Sequence, residues 1–170
     1  MLDLSWITET LAIGGSFPPP QTPALARDHG VSAVVDLRGE ACDDAQLLAR
    51  HRIAFLHLPT IDRAPSSPAK LCRGVAFVTS HLSAGRRVLV HCAYGMGRSA
   101  LLGLCVLVTH GYAPLPALAL VKERRRCVSP SQLQYEGWAA WLGAHRAEHE
   151  VTWSVPTFDE FKAIAYRHLL

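Results

Sequence analysis

Several features that would class a chain at once are missing from this 170-residue sequence. Its five cysteines (Cys42, Cys72, Cys92, Cys105 and Cys127) are odd in number and widely spaced, and none forms a Cys-x-x-Cys pair. Neither a disulfide framework nor a zinc cage is indicated, and a reducing cytoplasm is the expected location. The opening MLDLSWITET lacks a basic region followed by an apolar stretch, which argues against a secretory signal. The longest apolar run, Ala100 to Val108, is too short to span a bilayer, so no transmembrane segment is expected. Net charge is only +3, and no basic stripe alternates with aromatics, so nucleic acid is not the expected partner. There is no internal repeat and no low-complexity tract.

What is present is enough for one core, with 49% apolar residues over a length typical of a single domain. Three stretches read as short buried strands bounded by turn formers: Val31 to Leu37, Ile53 to Leu58 and Arg87 to His91. Weaker strand signals lie at Trp6-Ile7 and at Leu11 to Ile13. Helical patterns fall between them at Pro23 to His29, Asp43 to Arg50 and Pro68 to Ala84. Asp43 and Asp44 are read as helix caps, and Asp36 as a strand-end residue bonded to backbone. Beyond Val88 the chain reads as helical almost to its end, with breaks at Gly111 to Pro114 and Cys127 to Pro130. Strands alternating with helices predict an α/β fold with a central, mostly parallel, twisted sheet of four to five strands flanked by helices. The domain is expected over residues 1–150. Residues 151–170 are expected as a helical appendage packed on it, with Thr157 and Glu160 at capping-box spacing before an amphipathic run to Leu170.

The most informative stretch is VLVHCAYGMGRSALLGLCVLV, in which an apolar strand is followed by a short loop and then an apolar helix. Loops at the carboxyl ends of strands are where open α/β sheets bind ligands. Gly95 and Gly97 allow a sharp turn whose backbone N–H groups point inward beside a helix N-terminus, making an anion-sized nest. Arg98 would meet such an anion with its planar fork, directly over the Cys92 sulfur. The same field favours thiolate, and settings of this kind bring a cysteine pKa from about 8.5 to roughly 3.5–7.5. Cys92 then becomes a nucleophile beneath an electrophilic phosphorus.

His91-Cys92-x5-Arg98-Ser99 resembles the active-site signature of the cysteine-dependent protein phosphatases, and the short chain resembles their dual-specificity branch. The likeness extends over roughly residues 1–145, taking in WITETLAIGG, VVDLRGE and HLPTID, so a protein tyrosine phosphatase-like fold is implied. The resemblance further implies Asp62, about 30 residues before the cysteine, as general acid on a mobile loop. It implies that the loop from Ala93 through Tyr94, Gly95, Met96 and Gly97 to Arg98 holds phosphate, and that Ser99 bonds the sulfur. His91 supports the loop, and Gln132, with Gln134 as the alternative, resembles the glutamine that positions water in some relatives. No metal or cofactor is required. The expected reaction is hydrolysis of phosphotyrosine in a phosphorylated protein, extending to phosphoserine and phosphothreonine, by way of a phosphocysteine.

Other readings compete. A non-protein phosphomonoester (a phosphoinositide, nucleotide or RNA 5′-phosphate) is the rival substrate. Relatives that act on inositol lipids usually carry lysines inside the loop, where this chain has Ala93, Tyr94 and Met96. Sulfur transfer on a similar loop is less well matched by the His91 and Arg98-Ser99 flanks, and a non-catalytic phosphate-binding module would predict loss of cysteine, arginine or acid. Cys105 reads as core, and Asp62 alone could be a turn residue. The HRAEH run, His145 to His149, matches an inverted zinc-protease motif in form, but solvated histidines near a helix end explain it. The Lys122 to Arg126 run reads as a solvated helix end, with Arg126 or a neighbour as a possible guide for acidic substrates. Cys42 is the candidate partner for a reversible disulfide with Cys92. Oligomeric state is left open.

Overall fold

The computed structural model describes residues 1–169. Five strands form one sheet in the order β1-β2-β5-β3-β4, with β1 (Leu4–Trp6), β2 (Leu11–Gly14), β3 (Val31–Arg38), β4 (Ala54–Thr60) and β5 (Arg87–His91). Only the β1–β2 pair is antiparallel; β2, β5, β3 and β4 run parallel. The expected α/β architecture is therefore present. The weak signal at Trp6-Ile7 proves to be the end of a strand that starts at Leu4.

Period-two alternation sorts side chains between two helical layers. Val88 and Val90 of β5, with Leu11 and Ile13 of β2, face the larger layer. That layer holds α3 (Pro68–Ser83), α4 (Arg98–Thr109), α5 (Pro114–Arg124), α6 (Gln132–Glu148) and α7 (Phe158–Ala165). Leu89 and Ala12 face the smaller layer with Leu25 of α1 (Thr22–Arg27) and Leu48 of α2 (Ala45–Arg50). On β3 the register slips between Val31 and Ala33, which puts Val31 and Val34 on the smaller side and Ala33, Val35 and Leu37 on the larger. Because α4 is covered on every side, nearly all of it is apolar, with Ala100 to Val108 buried throughout.

Caps set the helix starts. Ser67 accepts from the Lys70 N–H at the start of α3, and Ser131 and Thr157 open α6 and α7 with full capping boxes. Asp44 alone caps α2, accepting from the Leu47 N–H at 2.9 Å; Asp43 is used elsewhere. The amphipathic run expected to reach Leu170 stops as helix at Ala165, and Leu170 lies outside the described residues. Through Phe161 and Ala165, both fully buried, α7 shares the core of the larger layer. No helix among the described residues is long and apolar enough to cross a membrane.

Candidate active site

The loop between β5 and α4 is shaped from outside. Ala93 C=O accepts the Ser16 N–H at 3.0 Å, Tyr94 C=O accepts Arg125 Nη2 at 2.9 Å, Gly95 C=O accepts Arg125 Nε at 2.8 Å, and Met96 C=O accepts the Ser129 N–H at 2.9 Å. Four successive carbonyls are thus drawn away from the loop centre. In a trans peptide the following N–H points the opposite way, so the amides of Tyr94 to Gly97 converge inward. Gly95 is required on two counts: its φ is +65°, and a Cβ there would lie 2.5 Å from Arg125 Nη2 and 2.6 Å from the Gly14 carbonyl oxygen. Gly97 also leaves room for the Gln134 amide. The glycine stands at φ −123° and ψ −79°, and a Cβ there would lie 2.4 Å from Gln134 Oε1, so any side chain would displace that amide.

Cys92 lies at the floor of this ring, 3% exposed, with Sγ 3.3 Å from Ser99 Oγ. Burial by itself pushes the thiol up, but the Ser99 hydroxyl, the Ser99 and Gly95 backbone N–H groups and the Arg98 charge outweigh it, leaving the thiol below its ordinary value. Arg98 is buried and held by Glu40, with Nη1 to Oε2 at 2.7 Å and Nη2 to Oε1 at 2.9 Å. Nη1 also donates to the Thr60 carbonyl at 3.0 Å. Of the five guanidinium N–H groups this leaves the Nε–H and one on Nη2, the side-on edge that suits two oxygens of one anion. Nε has no hydrogen-bond partner and stands 3.4 Å from Asp62 Oδ1. Sequence reasoning did not single out Glu40; its only signal is its place just after β3, at the same sheet edge as the loop.

Asp62 and Arg63 follow β4 and line the same pocket as Cys92 and Arg98, a cavity of about 400 Å³. The loop is tied across the mouth by Ser131 Oγ, which donates to the Arg63 carbonyl at 2.9 Å, and Arg63 itself has φ +59°. Gln132 is corrected by the geometry. It sits exposed on the first turn of α6 with Nε2 3.4 Å from Glu136, whereas Gln134 lines the pocket. Gln134 is 3% exposed, its Oε1 accepts the Ser131 N–H, and its Nε2 has no partner. Helical spacing separates the two: residue 132 begins the helix facing solvent, and two positions later the face has turned inward.

His91 is fully buried beneath the loop. Its Nε2–H donates to Asp43 Oδ2 at 2.7 Å, and Nδ1 lies 3.2 Å from the Cys92 carbonyl oxygen. Asp43, read as a cap, is instead a link in a chain from His91 to Arg38 to Asp36. Burial pushes the Asp36 carboxyl up, but the Arg38 hydrogen bonds and charge together with His91 outweigh it and hold the group below its ordinary value. Carboxylates, His91, Cys42 and His57 lie close enough here to suggest metal ligands, yet the Arg38 guanidinium already bridges Asp36 and Asp43.

Other readings also change. Lys122 and Arg125 are buried, so their run is not a solvated helix end: Lys122 Nζ caps the Val128 carbonyl and Arg125 pins the loop, itself gripped by Asp3 at 3.0 and 2.8 Å. Arg126, the candidate guide, is exposed and outside the pocket lining. Cys42 opens on a different cavity, beside Arg38, Asp43 and Asp44, and burial followed by Asp36 and Asp43 pushes its thiol up. Cys42 and Cys92 therefore line different cavities. His145 and His149 stack on each other with centroids 4.1 Å apart, and His145 stacks on Trp141, an aromatic arrangement rather than a ligand pair.

The sequence matches the family described as dual specificity phosphatase, catalytic domain, over residues 15–137. It is 29% identical over 137 residues to a rat protein named phosphatidylglycerophosphatase and protein-tyrosine phosphatase 1, covering 75% of this chain and 71% of that one. It is 30% identical over 135 residues to the Arabidopsis thaliana phosphatidylglycerophosphate phosphatase PTPMT1, covering 76% of this chain but only 40% of that protein. Among solved structures, PTPMT1 in complex with PI(5)P superposes with a TM-score of 0.77 at 24% identity, covering 84% of this chain and 96% of that one, a likeness of fold.

Proposed function

This chain belongs to the dual specificity phosphatase family, and on that premise we propose that it hydrolyses phosphomonoesters through a phosphocysteine. The observation that carries the proposal is the Cys92 sulfur at the floor of a ring of inward amides, with two free Arg98 N–H groups beside it. In the first step the Cys92 thiolate attacks phosphorus, an S–P bond forms, the P–O ester bond breaks, and Asp62 gives its proton to the departing oxygen. In the second, water attacks phosphorus, Asp62 takes its proton, the S–P bond breaks and inorganic phosphate leaves. The amides of Tyr94 to Gly97 and the Arg98 edge stabilise the equatorial oxygens in both steps. Ser99 steadies the sulfur as it departs with the electron pair, Gln134 rather than Gln132 orients the water, and His91 holds the loop from below.

Two substrate classes are supported. Phosphotyrosine in proteins, with phosphoserine and phosphothreonine, fits the family at large. A phospholipid headgroup is favoured by the names of the rat and Arabidopsis relatives. Binding without turnover would leave the acid and the nucleophile unused, and both line the pocket. The test is phosphate release from para-nitrophenyl phosphate without added metal. Cys92→Ser is expected to abolish it and Asp62→Ala to lower kcat by about 10²–10⁴-fold. A folded wild type with no turnover would leave a phosphate-binding module as the better reading.

A further inference from the structure

We propose that the rim of the pocket is a docking surface for an anionic bilayer, from which it takes a lipid carrying a single phosphomonoester; this rests on the phosphatase reading above. Among the described residues, three of the seven large apolar side chains left exposed line the pocket, and two more adjoin lining residues in sequence. Tyr94 is 71% exposed and Leu169 53%, and both line the pocket, as does the partly exposed Met96. Ile61, 77% exposed, directly precedes Asp62, and Leu133, 52% exposed, lies between the lining residues Ser131 and Gln134. The remaining two, Met1 and Tyr112, belong to the N-terminus and to the turn after α4. Exposed apolar groups gathered at one place mark an interaction site.

The shape of the patch selects the partner. Its members come from four separate segments: the loop after β4, the phosphate loop, the start of α6 and the chain beyond α7. Residues of all four segments line the pocket over the anion hole, an opening unlike the linear groove or open strand edge that peptides occupy. A ring of apolar side chains around a headgroup-sized hole matches a bilayer, where the phosphate lies at the interface and the ring enters the acyl boundary. Charge agrees. Arg63 lines the mouth and Arg167, exposed, follows the lining residue Tyr166, two cations for anionic lipid set against the one lining carboxylate, Asp62.

Charge also limits the headgroup. The cations lining the pocket are Arg63 and Arg98, and Glu40 already takes one edge of Arg98. Arg98 is the cation at the anion hole and Arg63 the one at its mouth, an arrangement that fits a headgroup with one phosphomonoester in the hole. Tyr166 and Leu169 make the segment beyond α6 part of this rim, with the Tyr166 hydroxyl donating to the Pro130 carbonyl at 2.8 Å.

The test uses phosphatidylcholine vesicles doped with long-chain phosphatidic acid, against dibutyryl phosphatidic acid, which carries the same headgroup in solution. The full chain is expected to release phosphate about tenfold faster from the vesicles at equal lipid phosphate, as partial burial of two or more apolar side chains gives. Ile61→Ser with Leu133→Ser is expected to remove that advantage while para-nitrophenyl phosphate turnover stays within about twofold. In parallel, Cys92→Ser protein should sediment with the doped vesicles, and adding the two serine changes should weaken this about tenfold. Equal rates on vesicle and soluble lipid, preference for a phosphotyrosine peptide over both, or a dimer that the serine changes dissolve would overturn the docking surface and leave the phosphatase intact. Loss of para-nitrophenyl phosphate turnover by the wild type would overturn the phosphatase reading and this one with it.

Discussion

At the Cys92 sulfur, burial and hydrogen bonding pull in opposite directions and hydrogen bonding wins. Ser99 is the main side-chain contributor, so Ser99→Ala should raise the thiol pKa. Because the rate follows the thiolate, which grows as pH rises through that pKa, the acid limb of kcat/KM should move to higher pH. A pH profile of the variant against the wild type checks this, and an unmoved limb would mean that Ser99 does not tune the sulfur. Glu40 offers a second titration. Arg98 draws its carboxyl from 4.5 to about 2, so the stability it adds is full above the ordinary value and is lost as pH falls from 4.5 towards 2. Half-exposed as it is, Glu40 contributes modestly, and Glu40→Gln should flatten that part of the stability curve in acid unfolding followed by circular dichroism. Residue types at short range were legible, since Cys92, Gly95, Arg98 and Ser99 share one loop and its spacing. Glu40 and Arg125 were not, because their importance comes from contacts 58 and 30 residues away, which no local pattern records.

Elements were legible wherever period and punctuation agreed. The strand at Arg87 to His91 and the helix opening at Pro68 fall at the expected positions, because each has an unbroken pattern and a cap or turn beside it. The ends were less so: α7 stops at Ala165 where its aromatic face, Phe158 and Phe161 with Tyr166 beyond, has met Tyr135 and Trp138, a limit set by packing. The loop after β5 depends on a strand far from it in sequence. Asp3, just before β1, grips Arg125, and Arg125 holds two loop carbonyls. Arg125→Ala should therefore release the inward amides and lower kcat by about 10²-fold, the scale of a small misplacement at the reacting centre. Asp3→Asn should have a smaller effect in the same direction, since Arg125 keeps its carbonyl contacts. Steady-state kinetics with the pH profile separates this from simple loss of stability: released amides also shift the acid limb upward.

At the scale of the whole molecule, residues 151–170 were expected as a helical appendage packed on the domain, and we propose that residues 151–169 are a working part of it. Phe161 is fully buried against Trp138, and Tyr166 and Leu169 line the pocket. Phe161→Ala should cost about 3–5 kcal/mol and lower the melting temperature in one cooperative transition with loss of activity. A separate early transition that spares activity would instead mark an independent tail. The order of the sheet, with β5 between β2 and β3, gathers Glu40, Asp62 and Cys92 from three loops at one carboxyl edge, and everything proposed for this protein depends on that convergence. The most direct test is acid quench of Asp62→Ala during turnover of para-nitrophenyl phosphate, followed by peptide mass spectrometry. The account predicts one phosphoryl group, carried on the Cys92 sulfur and absent from Cys92→Ser. A phosphoryl group on any other residue, or none during active turnover, would contradict it.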